Sequence, residues 1–290
     1  MDQQIILTLP ARLGLSHTVM AITRLQSEED GTPYDVWRLD TDKAPLILKK
    51  ISRDERLVYE TFFPRGSTAV PTVYGFWEQD GDDYMLMECF EGDTLSRCTR
   101  DRLILALDML IQTQRAYWED TRYAHVGLTH ECQLASREGW LPYMEELSDV
   151  FAAYLDALRT VPKTLCNEDL LPFNVLVNDT RAVIIDWTYG GILPYPCALA
   201  RLLAYGEEGS DFLFQMSAAD KEFAVQYYYD RLILGKGIPY GDYIRTMKLF
   251  FFKEYAEWVY LARSHPDFSN TEYYQKYLAK CRILAAQLRG

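Results

Sequence analysis

The sequence predicts an α+β protein of two lobes, a small N-terminal lobe rich in antiparallel strands and a larger, mostly helical C-terminal lobe. The chain has 290 residues, of which 49% are hydrophobic, and this content is enough for one large core or two medium ones. Short strand patterns separated by turn residues come first, and long helical patterns follow from residue 92 onward. We therefore place the lobes at residues 1–91 and 92–290.

The N-terminal lobe begins, after an irregular or helical stretch, with a predicted three-stranded meander. Val19–Leu25 and Tyr34–Leu39 alternate apolar and polar residues and are separated by the turn-forming Gln26–Pro33. A second turn leads to Leu46–Ile51, which is rich in leucine and isoleucine. Together these patterns predict three neighbouring antiparallel strands.

A helix and a second hairpin are predicted to complete this lobe. Ser52 or Asp54 provides an N-cap for a helix over Glu55–Phe62. Val70–Trp77 and Tyr84–Cys89 flank a turn of glycine and aspartate, as in a hairpin.

The C-terminal lobe is predicted to be a set of helices around one short hairpin. Val175–Val177 and Ala182–Ile185 form that hairpin, and Tyr189–Pro196 is predicted to be a loop. The helical patterns cover Asp101–Trp118, Leu141–Arg159, Pro196–Tyr205, Ala219–Leu234, Tyr240–Arg263 and Glu272–Arg289.

Charge and composition exclude several classes of function. The chain has 30 Lys and Arg against 42 Asp and Glu, a formal charge of −12, which disfavours nucleic acid as a partner and favours a cationic small molecule. Its four histidines and six cysteines lack zinc-site spacing. We see no leader segment and no apolar run of about 18 residues, so we expect a cytoplasmic protein without membrane contact.

The most informative stretch is Leu165–Trp187, LCNEDLLPFNVLVNDTRAVIIDW. If its two strands pair, Asn174 enters the first strand where Asp186 leaves the second, so the two side chains lie side by side. An amide and a carboxylate oxygen suit Mg²⁺, which needs only one or two protein ligands. Asp169, before the hairpin, then stays free to accept a hydrogen bond from a substrate hydroxyl.

This stretch resembles the catalytic loop and metal-binding segment of the aminoglycoside phosphotransferase and choline kinase superfamily. That family carries H-x-D-x-x-x-x-N followed by an apolar strand that ends in I-D-W or I-D-F. The resemblance implies a bilobal protein-kinase-like fold in which Asp169 orients the acceptor hydroxyl while Asn174 and Asp186 hold magnesium. Asn167 stands where the family usually has histidine.

The resemblance extends to the N-terminal lobe. APLILKKISRDERLVYETFF is similar to the strand and helix of a kinase small lobe in which a lysine contacts phosphates and a glutamate fixes the lysine. It implies Lys49 rather than Lys50 as that lysine, and Glu55 rather than Glu60 as its partner. The segment Gln26–Pro33 occupies the place of the nucleotide-covering loop but has a single glycine.

The resemblance also implies an adenine site and an acceptor pocket. The backbone around Glu88, Cys89 and Phe90 is similar to the inter-lobe linker that faces adenine. Near the C-terminus, Glu254 and Trp258 combine a carboxylate with an aromatic face, which is the environment an ammonium group prefers. In the family the late helices line the acceptor pocket.

These features predict an ATP- and Mg²⁺-dependent phosphotransferase that acts on the hydroxyl of a small, cationic molecule, such as an amino alcohol or an aminoglycoside-like compound. The alternative is a catalytically impaired kinase-like protein that binds a nucleotide or a partner, suggested by Asn167 and the glycine-poor loop. A protein kinase is disfavoured because no D-F-G or A-P-E follows the catalytic loop.

Overall fold

A computed structural model gives the architecture of residues 3–26, 31–209, 211–265, 267 and 272–290. The N-terminal lobe contains one antiparallel five-stranded sheet in the order β1-β2-β3-β5-β4. Its strands are β1 (Val19–Gln26), β2 (Pro33–Thr41), β3 (Leu46–Ile51), β4 (Val73–Gln79) and β5 (Asp82–Glu88). The predicted meander and second hairpin are both present. Residues 27–30 of the predicted nucleotide-covering loop lie outside the described residues.

The two faces of this sheet pack against different helices. Helix α1 (Gln3–Arg12) buries Leu9 against leucines of the sheet, including Leu39 and Leu48. Helix α2 (Arg53–Phe62) packs with the large core that extends into the C-terminal lobe. Its N-cap is Ser52, whose hydroxyl accepts a hydrogen bond from the backbone N–H of Glu55 at 3.0 Å, so the first of the two predicted caps is used.

The chain changes sheets between Glu88 and Asp93. Strand β5 ends at Glu88, and the short strand β6 (Asp93–Thr94) pairs with β8 (Val175–Val177) of the helical part. The division at residues 91 and 92 stays a prediction, and this change of partner supports it. The predicted fold class, a β-rich N-terminal lobe and a helical C-terminal lobe, is confirmed.

Helices make up most of the C-terminal lobe and bury a core rich in tyrosine and phenylalanine. They are α3 (Arg100–Ala116), α4 (His130–Glu138), α5 (Ser148–Thr160), α6 (Pro196–Ala204), α7 (Ala218–Tyr228), α8 (Tyr240–Ser264) and α9 (Glu272–Arg289). Within the described part of the chain, no helix has the length and apolar content needed to cross a membrane.

Two short antiparallel strand pairs surround the motif residues. The predicted pair forms as β8 and β9 (Ala182–Ile184), with Val175 opposite Ile184. A second pair joins β7 (Lys163–Asn167) to β10 (Gly190–Pro194). The prediction of a loop over Tyr189–Pro196 was therefore wrong, because glycine and proline signals there hide a buried strand held by five backbone pairings with β7.

One helix prediction needs correction, and one helix was not predicted. The segment predicted to be helical from Leu141 begins with two short 3₁₀ turns, and the α-helix starts at Ser148. Pro142 lies in the first of these turns, where it removes a backbone donor. Helix α4 was not predicted, because its sequence is mostly polar and only Gln133 in it is buried.

Candidate active site

An ion cluster joins the two lobes at Lys49. Its ammonium on β3 lies 2.7 Å from Oε1 of Glu55 on α2 and 3.3 Å from Oδ1 of Asp186, which follows β9. The neighbouring candidates are elsewhere: Lys50 pairs with an aspartate of β5, and Glu60 pairs with Arg56 on the surface. The structure thus brings together the lysine, glutamate and aspartate that the resemblance implied.

Glu55 is the centre of this cluster and is almost fully buried. Its carboxylate accepts hydrogen bonds from the backbone N–H of Trp187 at 3.1 Å and from the hydroxyl of Thr188 at 3.2 Å. Burial raises the pKa of Glu55, and the ammonium of Lys49 opposes that shift. A helix of the N-terminal lobe is therefore tied to the segment after β9 by a buried carboxylate.

Asp186 has a backbone conformation that residues other than glycine rarely adopt, with φ at 60°. Its Oδ1 accepts hydrogen bonds from the backbone N–H and the hydroxyl of Thr188, at 3.3 and 2.7 Å. Burial opposes ionisation, but Lys49 and Thr188 outweigh it and lower the pKa of Asp186. The side chain is thus held as a carboxylate in a strained turn, an arrangement that clusters at functional sites.

The loop that carries Asp169 is anchored by Asn167. This buried amide accepts from the backbone N–H of Asp169 at 2.9 Å and donates to the backbone carbonyl of Asp186 at 2.7 Å. The two bonds join the end of β7 to the turn after β9. Asparagine thereby supports both acidic residues at the position where the family usually has histidine.

Asn174 lies at the end of the same loop, and its geometry fits a metal ligand. Its amide nitrogen donates to the backbone carbonyl of Asp169 at 2.9 Å, which leaves the amide oxygen available. The backbone N–H of Ile185 donates to the carbonyl of Asn174 at 2.9 Å, so Asn174 adjoins the strand that leads to Asp186. Among the described residues, no three His, Cys, Asp or Glu side chains form a metal-binding group. A Mg²⁺ ion held by Asn174 and Asp186 needs no third protein ligand.

Asp169 forms an ion pair that the sequence analysis did not foresee. Its Oδ1 accepts from Nε and Nη2 of Arg201 on α6, at 3.2 and 2.8 Å. Burial raises the pKa of Asp169, and the guanidinium opposes that shift. The carboxylate is about one third exposed.

The two residues predicted for the acceptor site have partners within the protein. Glu254 is buried and accepts from Arg201 at 2.9 Å and Lys253 at 3.1 Å. Trp258 stacks on Tyr273 and Tyr277, with ring centroids 5.3 and 5.5 Å away. Their role in acceptor binding stays a prediction.

The linker residues lie where β5 leaves the sheet. Glu88 forms an ion pair with Arg181 of the β8–β9 turn, and its backbone N–H donates to a carbonyl next to β4. Arg181 lies over the ring of the buried Phe90 at 5.0 Å. The backbone N–H of Cys89 donates to a carbonyl before β3 at 3.3 Å. Their contact with adenine stays a prediction.

Sequence reasoning missed Glu168 and three cations that pair with Glu168 or Asp169, and it did not see the role of Thr188. The three cations are Arg137, Arg201 and Lys253. Two signals could have found part of this set. Arg201 is the only charged residue in the apolar segment PCALARLLA, and Lys253 follows LFFF, so each is a cation on a helix face that must be buried.

Sequence comparison identifies the family. The pattern that defines the phosphotransferase enzyme family matches residues 28–232. The chain belongs to this family. No curated protein sequence matches it.

Solved structures of phosphotransferases share the fold. A thermostable mutant of aminoglycoside phosphotransferase APH(4)-Ia, in a ternary complex with AMP-PNP and hygromycin B, matches with a TM-score of 0.60 and 16% identity over 98% of each chain. A putative fructosamine-3-kinase from Haemophilus somnus matches with a TM-score of 0.58 and 14% identity over 97% of this chain and 95% of the other. A putative aminoglycoside phosphotransferase from Ralstonia eutropha matches with a TM-score of 0.56 and 13% identity over 98% of this chain and 96% of the other. At these identities the likeness shows the fold of this phosphotransferase.

Proposed function

We propose that this phosphotransferase is an ATP- and Mg²⁺-dependent kinase that transfers the γ-phosphoryl group to a hydroxyl of a small molecule. The observation that carries the proposal is the cluster of Lys49, Glu55 and Asp186 between the lobes, with Asp169 and Asn174 on the adjoining loop. Kinase chemistry needs these groups: a fixed cation for phosphates, oxygen ligands for a metal and a carboxylate for the acceptor.

Each residue has a defined task in this proposal. Lys49, fixed by Glu55, contacts the phosphates, and the linker backbone at Glu88 to Phe90 faces adenine. Asn174 and Asp186 would hold Mg²⁺, which would supply neutralisation of phosphate charge. Asp169 accepts a hydrogen bond from the acceptor hydroxyl and aligns its oxygen with the γ-phosphorus. The complex of APH(4)-Ia with AMP-PNP supports nucleotide binding at this fold.

The acceptor is a small alcohol. The net charge of −12 and the prediction for Glu254 and Trp258 favour a cationic one, such as an amino alcohol or an aminoglycoside-like compound. The complex of APH(4)-Ia with hygromycin B supports a small-molecule acceptor. Because Arg201 and Lys253 already neutralise Glu254, a test panel needs neutral alcohols and sugars as well.

A transfer assay tests the proposal. Purified protein is incubated with Mg-ATP labelled at the γ-phosphate and a panel of amino alcohols, aminoglycosides, sugars and neutral alcohols, with water alone as one arm. We expect a labelled product from at least one arm that contains an acceptor, beyond the phosphate released in the water arm, and a loss of about 10²-fold or more in Asp169→Asn. Asp179→Asn, which changes an exposed aspartate in the β8–β9 turn, is the matched control and keeps the wild-type rate. Transfer that is absent, or equal in wild type and Asp169→Asn, contradicts the proposal.

A further inference from the structure

Arg201 lies against Asp169, the residue that we propose orients the acceptor hydroxyl. It projects from α6, and only 15% of its side chain is exposed. Neither the motif nor the family pattern assigned it a task. A buried arginine beside the acceptor-orienting carboxylate needs a physical explanation, because burying a guanidinium is costly unless it is paired.

Arg201 contacts only one of the two carboxylate oxygens of Asp169. Both nitrogens that reach Asp169 donate to the same oxygen, Oδ1, at 3.2 and 2.8 Å. Among the described residues, Oδ2 of Asp169 accepts no hydrogen bond. One carboxylate oxygen is therefore fixed by the protein, and the other is left for a hydroxyl donor.

The opposite edge of the guanidinium is fixed in turn. Nη1 donates to Oε2 of Glu254 at 2.9 Å and to Oε2 of Glu257 at 3.2 Å, and both glutamates are on α8. It also donates to the hydroxyl of Tyr205 at 3.2 Å. The ammonium of Lys253 lies 3.1 Å from Oε1, the other carboxylate oxygen of Glu254. Because the two N–H groups of Nη1 are shared among these three acceptors, the guanidinium plane has little freedom to rotate.

We propose that Arg201 is a positioning residue for phosphoryl transfer: it fixes Oδ1 of Asp169 so that Oδ2 faces the acceptor hydroxyl. The inference rests on the proposed function, since Asp169 must orient an acceptor for its position to matter. Arginine suits the task because its planar fork can hold Asp169 with one edge and Glu254 and Glu257 with the other. A lysine offers one point charge and cannot hold both edges.

The competing explanation is that Arg201 only stabilises the fold by neutralising buried carboxylates. The two explanations differ in how Arg201 couples to Asp169. If Arg201 is a positioning residue, its substitution has no further effect on the rate once Asp169 has been replaced. If Arg201 is only structural, its substitution lowers the rate by the same factor whether or not Asp169 is present.

A double-mutant cycle in the full-length protein distinguishes them. Transfer from Mg-ATP to the acceptor panel and to water is measured for wild type, Arg201→Met, Asp169→Ala and the double variant, with melting temperatures for each. We expect Arg201→Met to lower kcat by about 10²-fold with the KM for ATP nearly unchanged, because misplacement of a reacting group by about 1 Å costs that much. In the Asp169→Ala background the same substitution should change the rate by less than about twofold.

Two further variants distinguish a loss of rate from a loss of stability. Arg201→Lys keeps a cation next to Glu254 and Glu257 but loses the fork, so we expect a near-normal melting temperature and a kcat lowered by about tenfold. Arg137→Met removes another buried cation of the same network, paired with Glu168 and not with Asp169. It should lower the melting temperature, and its effect on rate should be the same in the wild-type and Asp169→Ala backgrounds.

The outcomes separate the inference from the function on which it rests. Transfer that depends on Asp169, together with normal kcat in Arg201→Met and Arg201→Lys, overturns the positioning role alone. Equal rate losses for Arg201→Met with and without Asp169 also overturn it and leave a structural role. If wild type shows no transfer that depends on Asp169, the proposed function fails and the inference fails with it.

Discussion

Asn167 holds two acidic residues of the site through their backbones. It accepts from the N–H of Asp169 and donates to the carbonyl of Asp186, at 2.9 and 2.7 Å. The resemblance to a histidine-bearing family suggested weakened support at this position. The geometry shows that a short amide at the end of β7 reaches both partners, so the departure is no ground for inferring an inactive protein.

Removal of this amide should affect rate and stability together. In Asn167→Ala the half-buried carbonyl of Asp186 and the N–H of Asp169 lose their partners, which costs up to about 1–3 kcal/mol for each group left unsatisfied. We expect a lower melting temperature and a kcat reduced by about 10-fold or more, measured by thermal melting and by the transfer assay. Asn178→Ala, which removes turn hydrogen bonds to Thr180 and Arg181 and a 3.4 Å hydrogen bond to the backbone carbonyl of Glu91, is the control. Equal rates in both variants would contradict this prediction.

The assignment of site residues between close neighbours in the sequence depended more on the family resemblance than on local chemistry. Lys49 and Lys50 are adjacent on β3 and point to opposite sides of the strand, so only one can face the lobe interface. Glu55 and Glu60 on α2 differ in the same way, one buried and one exposed. The sequence could predict that one member of each pair is internal, but Thr188, which bridges Glu55 and Asp186, carried no such signal.

Glu168 links three elements of the C-terminal lobe at one point. It follows β7, forms an ion pair with Arg137 of α4, and lies 3.6 Å from Lys253 of α8. Burial opposes its ionisation, but the two cations outweigh burial and lower the pKa of Glu168 to about 2. Three separate elements therefore depend on one ionised carboxylate beside the loop that carries Asp169.

This pKa predicts a pH dependence of stability. A carboxylate whose pKa is lowered on folding stabilises the protein above its unfolded pKa, and the contribution is lost as pH falls through the folded pKa. Glu168→Gln should therefore be less stable than wild type at pH 7 by on the order of 3 kcal/mol. The difference should shrink as pH falls from about 4.5 toward 2, because over this range the carboxylate of the unfolded wild-type chain binds a proton while that of the folded protein stays ionised.

Urea unfolding at pH 7, 4.5 and 3 measures this difference. Glu60→Gln is the matched control, because its carboxylate is exposed and pairs only with Arg56. That variant should track wild type at every pH, as exposed pairs contribute little. A Glu168→Gln difference that is constant with pH would contradict the lowered pKa.

Element boundaries were predictable where local signals agreed and wrong where they conflicted. The strand Leu46–Ile51 and the helix Glu272–Arg289 occur as predicted, because an apolar strand pattern and a long amphipathic pattern are unambiguous. Strand β10 was missed because its glycines and prolines signal a turn, while pairing with β7 decides its conformation. Such pairing between distant segments is invisible to a local pattern.

The proposed nucleotide site depends on both lobes, so ligand binding should stabilise the whole molecule. Lys49 and Glu55 come from one lobe, and Asn174 and Asp186 come from the other. A ligand that contacts both lobes favours the folded protein by mass action, by about 2.7 kcal/mol at one hundred times its Kd.

Thermal melting with AMP-PNP tests this dependence. We expect a rise of several degrees with Mg²⁺ and AMP-PNP, and a smaller rise after removal of the metal with EDTA. Asp186→Asn should lose the metal-dependent part of the rise, because a carboxylate ligand becomes an amide. The control Asp179→Asn should respond as wild type does. A rise in melting temperature that is unchanged by both EDTA and Asp186→Asn would contradict the proposed metal site.

The sequence by itself determined the fold class, the order of most elements and the family, because periodicity and the spacing of Asp169, Asn174 and Asp186 are properties of one continuous segment. Only the tertiary structure decided that Asp169 is held by Arg201, and that Arg201 is held by Glu254 and Glu257. These residues are 32 and more positions apart in the chain. Their contacts arise where separate helices pack against one loop, and packing between distant segments leaves no local pattern to read.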